Sequence, residues 1–200
     1  MTAETTRGRP RDPRTQRAIL AAARSLLSTV GYEQTSMDAI AREAGVSRPT
    51  IYRRWPSKAH VVFDAVFGEA DGDEVLTSKG DFETDLRDFV RAVCEFWRDP
   101  VVAAATMGIL ADRHRDPALS IRTQQLLDEH TRNRFAGLVR SGIDQGVVAR
   151  DVDVDMLWQL LVGSSLYAVQ VQLLEDVDDL ARRLCALAMR GASTRKEDRR

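Results

Sequence analysis

Apolar residues recur along this chain at intervals of three and four, and no stretch sustains the strict alternation of a half-buried strand. Ile19, Ala22, Ala23, Leu26, Leu27 and Val30 form one stripe, which predicts a helix from Pro13 to Val30 with Gly31 as its stop. Met37, Ile40, Ala41 and Ala44 form a shorter stripe, with Thr35 and Asp38 spaced as a capping box and Gly45 ending the helix. Val46 is expected to plug the core. Ser47 is a cap, and Pro49 lies in a first turn, where a missing N–H costs little. Ile51 and Trp55 then point inward and Pro56 closes the segment. Ser57 starts a connecting helix whose apolar face is Val61, Val62, Ala65 and Val66, and residues 68–81 read as a loop.

The remainder continues in the same period. Leu86, Phe89, Val90, Val93 and Trp97, with Phe96 beside them, mark a helix over 82–97. Pro100 opens one that carries Val101, Val102, Met107, Ile109 and Leu110. Pro117 opens a long one through Leu119, Leu126, Leu127, Phe135, Leu138 and Val139 to Gly142. Asp151, Asp153 and Asp155 gather where the next helix begins, the end at which anions are favoured. That helix shows Leu157, Leu160, Leu161, Ser164, Ala168 and Val171, and a last one shows Leu180, Leu184, Leu187 and Ala188. The expected fold is all-α with about nine helices. Residues 1–56 would form an arm and a three-helix helix-turn-helix unit, 57–192 a helical ligand-binding and dimerisation body, and 193–200 a disordered tail.

Charge divides the chain in the same place. Met1 to His60 holds 11 Lys and Arg against 5 Asp and Glu, about +6, and the rest holds 18 against 25, about −7, although the whole carries only −1. A basic head on an acidic body means that only the head meets a polyanion. No run of 18 apolar residues and no signal-peptide core occurs, so a cytoplasmic protein with no membrane partner is expected. Cys94 and Cys185 are expected to be buried thiols. No phosphate-binding loop, dinucleotide motif or zinc motif is present. In Asp112-Arg113-His114-Arg115-Asp116 the two arginines would repel a divalent cation, and a solvated helix end is the expectation. Ser164 and Ser165 have no histidine partner in view. No catalytic residue, metal or cofactor is therefore expected.

The pair of short helices over Thr35–His60 has helix-turn-helix grammar. Arg48 and Lys58 stand in first turns, the unfavourable end of a helix dipole for a cation, which a phosphate or base edge would redress. Arg48, Thr50, Tyr52, Arg53 and Arg54 remain for the outer side, the residue types that contact grooves and backbones. Arg7 and Arg9 in Arg7-Gly8-Arg9-Pro10-Arg11 fit either a minor-groove arm or a solvated tail. Phe89, Val93, Phe96, Trp97, Met107, Leu110 and Trp158 either line an apolar effector cavity or fill a core. Leu160, Leu161, Ser164, Leu180, Leu184 and Leu187 either form a dimer face or complete the monomer. The competing readings are an architectural DNA binder without effector and an enzyme with an unrecognised site.

Thr35-Ser36-Met37-Asp38-Ala39-Ile40-Ala41, Ala44-Gly45-Val46-Ser47 with Thr50-Ile51-Tyr52, and Trp55-Pro56-Ser57-Lys58 resemble the TetR/AcrR family of bacterial transcription regulators. The match is tight over about 25 residues; the body is compatible in helix order. The resemblance implies an all-α homodimer that binds a palindromic operator in double-stranded DNA and is released by a small molecule. It implies DNA contacts from Thr35, Ser36, Ser47, Arg48, Thr50, Tyr52, Trp55 and Lys58, with Tyr52 and Lys58 on phosphates and Arg48 and Thr50 facing base edges. Trp55 departs from the His or Phe common at its position.

Overall fold

The computed structural model describes residues 13–68, 80–126 and 131–192, with the side chains of 124–126 and 192 left aside. Among these residues are ten α-helices and one π-helical turn, and no strand. They are α1 (Pro13–Gln34), α2 (Met37–Glu43), α3 (Arg48–Tyr52), α4 (Lys58–Phe67), α5 (Phe82–Arg98), α6 (Pro100–Arg113), α7 (Pro117–Leu126), α8 (Arg132–Asp144), α9 (Val154–Leu166) and α10 (Val177–Ala192). The π-turn, Tyr167–Val171, continues α9. The arm with Arg7 and Arg9, most of the 68–81 loop and the tail lie outside the described residues.

Two apolar cores explain the periodicities. Ile19, Leu20, Ala22 and Ala23 of α1 close over Met37, Ile40, Ala41, Ile51 and Trp55, with Val46 packed at the edge. Helices α2 and α3, of 7 and 5 residues, are far too short to be stable alone, so this core holds them. The second core runs through α4 to α10 and also takes Leu27 and Tyr32 from α1. Helix α4 is buried on every side: Val61 and Ala65 face the first core, and Val62, Phe63, Val66 and Phe67 face the second.

Local chemistry sets the boundaries. Gly31 takes φ 77°, a left-handed value that breaks α1 where the stop signal predicts. Gly45, at φ 65°, ends α2 in the same way. Ser36, not Thr35, caps α2, accepting from the Ala39 N–H at 3.1 Å. Five of the body's carboxylates are helix caps. Asp81, Asp99, Asp116, Asp153 and Asp176 each accept an amide N–H at the start of α5, α6, α7, α9 or α10. The Thr84 hydroxyl and amide on Asp81 also hold that carboxyl below its usual range. The helix expected over 117–142 is described as α7 up to Leu126 and α8 from Arg132, and 127–130 between them lie outside the described residues.

Candidate nucleic-acid interface and effector region

The helix-turn-helix presents a polar outer face because its apolar residues are consumed within. Ile51 and Trp55 are fully or almost fully buried, which leaves Arg48, Thr50, Tyr52 and Arg53 on the other side of α3. Tyr52 is 46% exposed. Ser47 caps no amide of α3, and its hydroxyl meets that of Thr50 at 2.9 Å. Arg48 Nε lies 2.7 Å from Asp38 Oδ1, an ion pair that joins the start of α3 to the first turn of α2. That carboxylate, rather than a phosphate, offsets the arginine's unfavourable dipole position. It also orients the guanidinium while the terminal nitrogens keep further N–H donors. Ser36, Ser47, Arg48 and Tyr52 thus line exposed surface at α2 and α3, with Thr50 half-buried among them.

Two expected contacts turn inward. Thr35 is buried, and its hydroxyl donates to Gly31 O at 2.7 Å, since the chain needs that bond where α1 breaks. Trp55 is buried too, and its indole N–H donates to Asp64 Oδ2 at 2.6 Å. Neither side chain is available to DNA. Lys58 is half-buried: its ammonium donates to Tyr32 O at 2.8 Å and sits 4.2 Å from the Tyr32 ring centre. An ammonium has three donors, so a phosphate can still take another.

The corner between α6 and α7 holds both Tyr32 of the head and the connecting helix α4. Tyr32 donates its hydroxyl to Asp112, and burial followed by that carboxylate pushes its phenol pKa up. His60 Nδ1 lies 3.7 Å from Asp116 Oδ2 and 2.9 Å from Ser57 Oγ. Arg122 Nη2 reaches Asp64 Oδ1 at 2.6 Å. The run Asp112–Asp116 is therefore a docking edge as well as a helix end, which its sequence alone did not disclose. Gly108 completes the seat, because a Cβ there would fall 2.2 Å from Tyr32 Cδ1. Among the described residues no His, Cys, Asp and Glu group is arranged to hold a metal ion.

In the body, Phe89, Phe135 and Trp158 form a ring triangle with centroids 5.0, 5.5 and 5.8 Å apart. Phe96 joins Trp97 and Phe67 in a second cluster, at 5.0 and 5.8 Å. Val93 is partly buried against the same core and Leu110 is half-exposed. Met107 is 57% exposed and cannot line an interior cavity, because the face of α6 that packs inward carries Val102, Ala105 and Ile109. Phe135, absent from the expected set, packs between Phe89 and Trp158. The Trp97 indole N–H is buried with no hydrogen-bond partner among the described residues, although the Gln170 side chain from the π-turn donates to Trp97 O.

The last two helices divide between two tasks. Leu161 and Leu180 are buried in the monomer, as are Cys94 and Cys185, whose thiols burial pushes up, Cys185 to about 11. Leu161 and Leu180 thus fill the core and are not dimer-face residues. Ser164 and Leu184 are half-buried. Met156, Leu160, Tyr167 and Val171 are exposed large apolar side chains on α9 and its π-turn, with Leu187 on α10. The first four follow at steps of four, seven and four residues, one continuous helical stripe.

Known proteins match both parts. A model of bacterial regulatory proteins of the tetR family matches residues 19–65, and one of the tetracyclin repressor-like C-terminal domain matches 76–188. The HTH-type transcriptional regulator Rv1556 of Mycobacterium tuberculosis is 30% identical over 164 residues, 80% of each chain. YdeS of Bacillus subtilis, also an HTH-type transcriptional regulator, is 29% identical over 92% of this chain and 93% of its own. Among solved structures, the TetR family transcription regulator SCO0332 superposes with TM-score 0.73 at 24% identity, covering 90% of this chain and 99% of that one. FadR of Thermus thermophilus, a TetR family repressor in complex with lauroyl-CoA, gives 0.72 at 22%, covering 92% and 98%.

Proposed function

The chain belongs to the TetR family of bacterial regulatory proteins, and from that premise we propose that it is a homodimeric repressor, freed from a palindromic operator by a small apolar ligand. It is a DNA-binding transcriptional regulator by family. The finer reading rests first on the outer face of α3. Arg48, steadied by Asp38, is the base-reading side chain, with Thr50 beside it. Tyr52, Ser36, Ser47 and Lys58 take phosphates, and Arg7 and Arg9 follow the neighbouring minor groove. Residues 1–56 serve as arm and head, and 57–192 as body, in the cytoplasm where the DNA lies.

One head buries too little and reads too few bases for tight specific binding, so two heads are needed. The Met156–Leu160–Tyr167–Val171 stripe supports pairing with a second copy, with Leu187, Ser164 and Leu184 beside it. The effector would enter among Phe89, Phe96, Trp97, Phe135 and Trp158, with Val93 and Leu110 at the margin, and Trp97 Nε1 would meet its one acceptor. The ligand acts by favouring a body shape in which the α6–α7 corner no longer seats Tyr32 and Asp64, so the heads lose their spacing. Lauroyl-CoA, bound in the complex of Thermus thermophilus FadR, is the first to screen, for its apolar acyl chain.

In vitro selection from random duplexes tests the DNA reading. The expected product is an inverted repeat, bound with less discrimination and about 1–3 kcal/mol more weakly by Arg48→Ala. Recovery of random sequence, with binding that depends on salt alone, would support an architectural binder instead.

A further inference from the structure

Asp38 puts a negative charge on the face that is to meet a polyanion. It stands in the first turn of α2, and its Oδ1 lies 2.7 Å from Nε of Arg48, the first residue of α3. The two side chains are 50% and 65% exposed, and an ion pair so open to water stabilises a fold little. Its consequence lies in where it holds the arginine. The frame beneath the pair is firm. Met37 and Ile40 of α2 and Ile51 of α3 share the first core. The turn between the helices is closed by Gly45 at φ 65° and by the Val46 N–H, which donates to Ala41 O at 2.9 Å. A guanidinium carries one N–H on Nε and two on each terminal nitrogen. Asp38 engages Nε and leaves the Nη1 and Nη2 prongs for a ligand.

We propose that Asp38 is a specificity-determining residue that restricts Arg48 to a guanine in the major groove, an inference that rests on the operator-binding reading above. Guanine alone among the bases shows two acceptors, O6 and N7, on its major-groove edge, and a two-pronged donor matches them. An arginine without the carboxylate would also bond any backbone phosphate, which carries no sequence information. Asp38 acts against that use in two ways. Its charge cancels part of the attraction that draws Arg48 to phosphates, so binding to wrong sequences is penalised. It also holds the side chain in one place before DNA arrives, so less freedom is lost on docking.

Dissociation constants of the full chain for its selected duplex test this. The base pair read by Arg48 is first located as the one at which Arg48→Ala loses preference. The expected pair is G·C, and 7-deazaguanine there, which lacks the N7 acceptor, weakens the wild type about fivefold or more. Asp38→Asn keeps the size and polarity of the side chain, and a melting curve checks its fold. It should lose about fivefold or more of the discrimination at that pair alone, while its affinity for random DNA rises and its salt slope steepens by about 1. Asp38→Glu should restore part of the preference. A merely structural carboxylate would weaken every sequence alike when replaced. That result overturns the proposal, as does a pair other than G·C at Arg48, or an Asp38→Asn variant that discriminates as the wild type does. A wild type that selects no sequence at all would mean that the operator-binding reading itself has failed, and this inference with it.

Discussion

Replacing Gly108 with alanine sets two effects of opposite sign against each other. In a helix interior, alanine is better than glycine by about 0.8–1 kcal/mol, so propensity alone would stabilise α6. The new Cβ, however, would lie 2.2, 2.4 and 2.5 Å from Cδ1, Cε1 and Cγ of Tyr32. Ordinary carbon contacts need roughly 3.5–4.0 Å, so the ring must retreat by more than about 1 Å. It has little freedom to do so. Its hydroxyl is fixed on Asp112, its carbonyl holds Lys58, and the lysine ammonium stands over its face. Overpacking of a held side chain costs roughly 1–3 kcal/mol, and this contact is at the severe end. The net loss is then about 2 kcal/mol, or about 4–8 °C in melting temperature for a chain of this size. Urea denaturation and operator affinity should be measured on Gly108→Ala, Tyr32→Ala and the double variant. Gly108→Ala should destabilise the wild type but be neutral or stabilising beside Tyr32→Ala. A melting temperature that is unchanged or raised by Gly108→Ala alone would refute the claim that Tyr32 is seated rigidly on α6.

Three further outcomes are expected. Asp64→Ala leaves the buried Trp55 N–H without its acceptor and Arg122 without its carboxylate. It should cost about 2–3 kcal/mol in urea titration, less than a fully buried pair because Arg122 is 41% exposed; a change below about 0.5 kcal/mol would mean the triad is incidental. Tyr167→Arg places a charge in the exposed apolar stripe and should give monomers in analytical ultracentrifugation with unchanged helicity, whereas an intact dimer would move the interface elsewhere. Cys185 has a thiol raised to about 11 when folded against an ordinary 9.0, so the native state holds its proton more tightly. That contribution is intact below pH 9 and is lost as pH rises from 9 to 11, by at most about 2–3 kcal/mol; Cys185→Ala should flatten this part of the stability profile, and an identical profile would contradict the shift.

What the sequence disclosed and what it hid follow one physical rule. Signals carried within a few residues were legible: the stop at Gly31, the left-handed Gly45, the Pro49 start and the inward pair Ile51 and Trp55 all depend on local backbone sterics or on helical period. Choices between near-equal neighbours were not. Thr35 and Ser36 are both good caps, and only the need to bond Gly31 O inside the head assigns Ser36 to α2. Helices that are apolar on two sides hid their loyalties. On α9, Leu160 and Leu161 are adjacent in sequence, yet one is exposed and the other buried, because the helix faces both the core and the stripe. Met107 misled for the converse reason, an apolar residue on the solvent side of an Ala-rich helix. Contacts between segments far apart in sequence carried no local signal at all. Tyr32 with Asp112, and Trp55 with Asp64 and Arg122, join residues on four helices, and these contacts define how the head sits on the body.

The central claim is that two copies of this chain present their α3 helices to one symmetric DNA site. Footprinting of the purified protein on DNA from its own genome tests it most directly. The account predicts two protected half-sites related by inversion, centred about one helical turn or a multiple apart, and lost together in Tyr167→Arg. A single unsymmetric footprint that Tyr167→Arg leaves unchanged, or uniform protection with no preferred sequence, would contradict it.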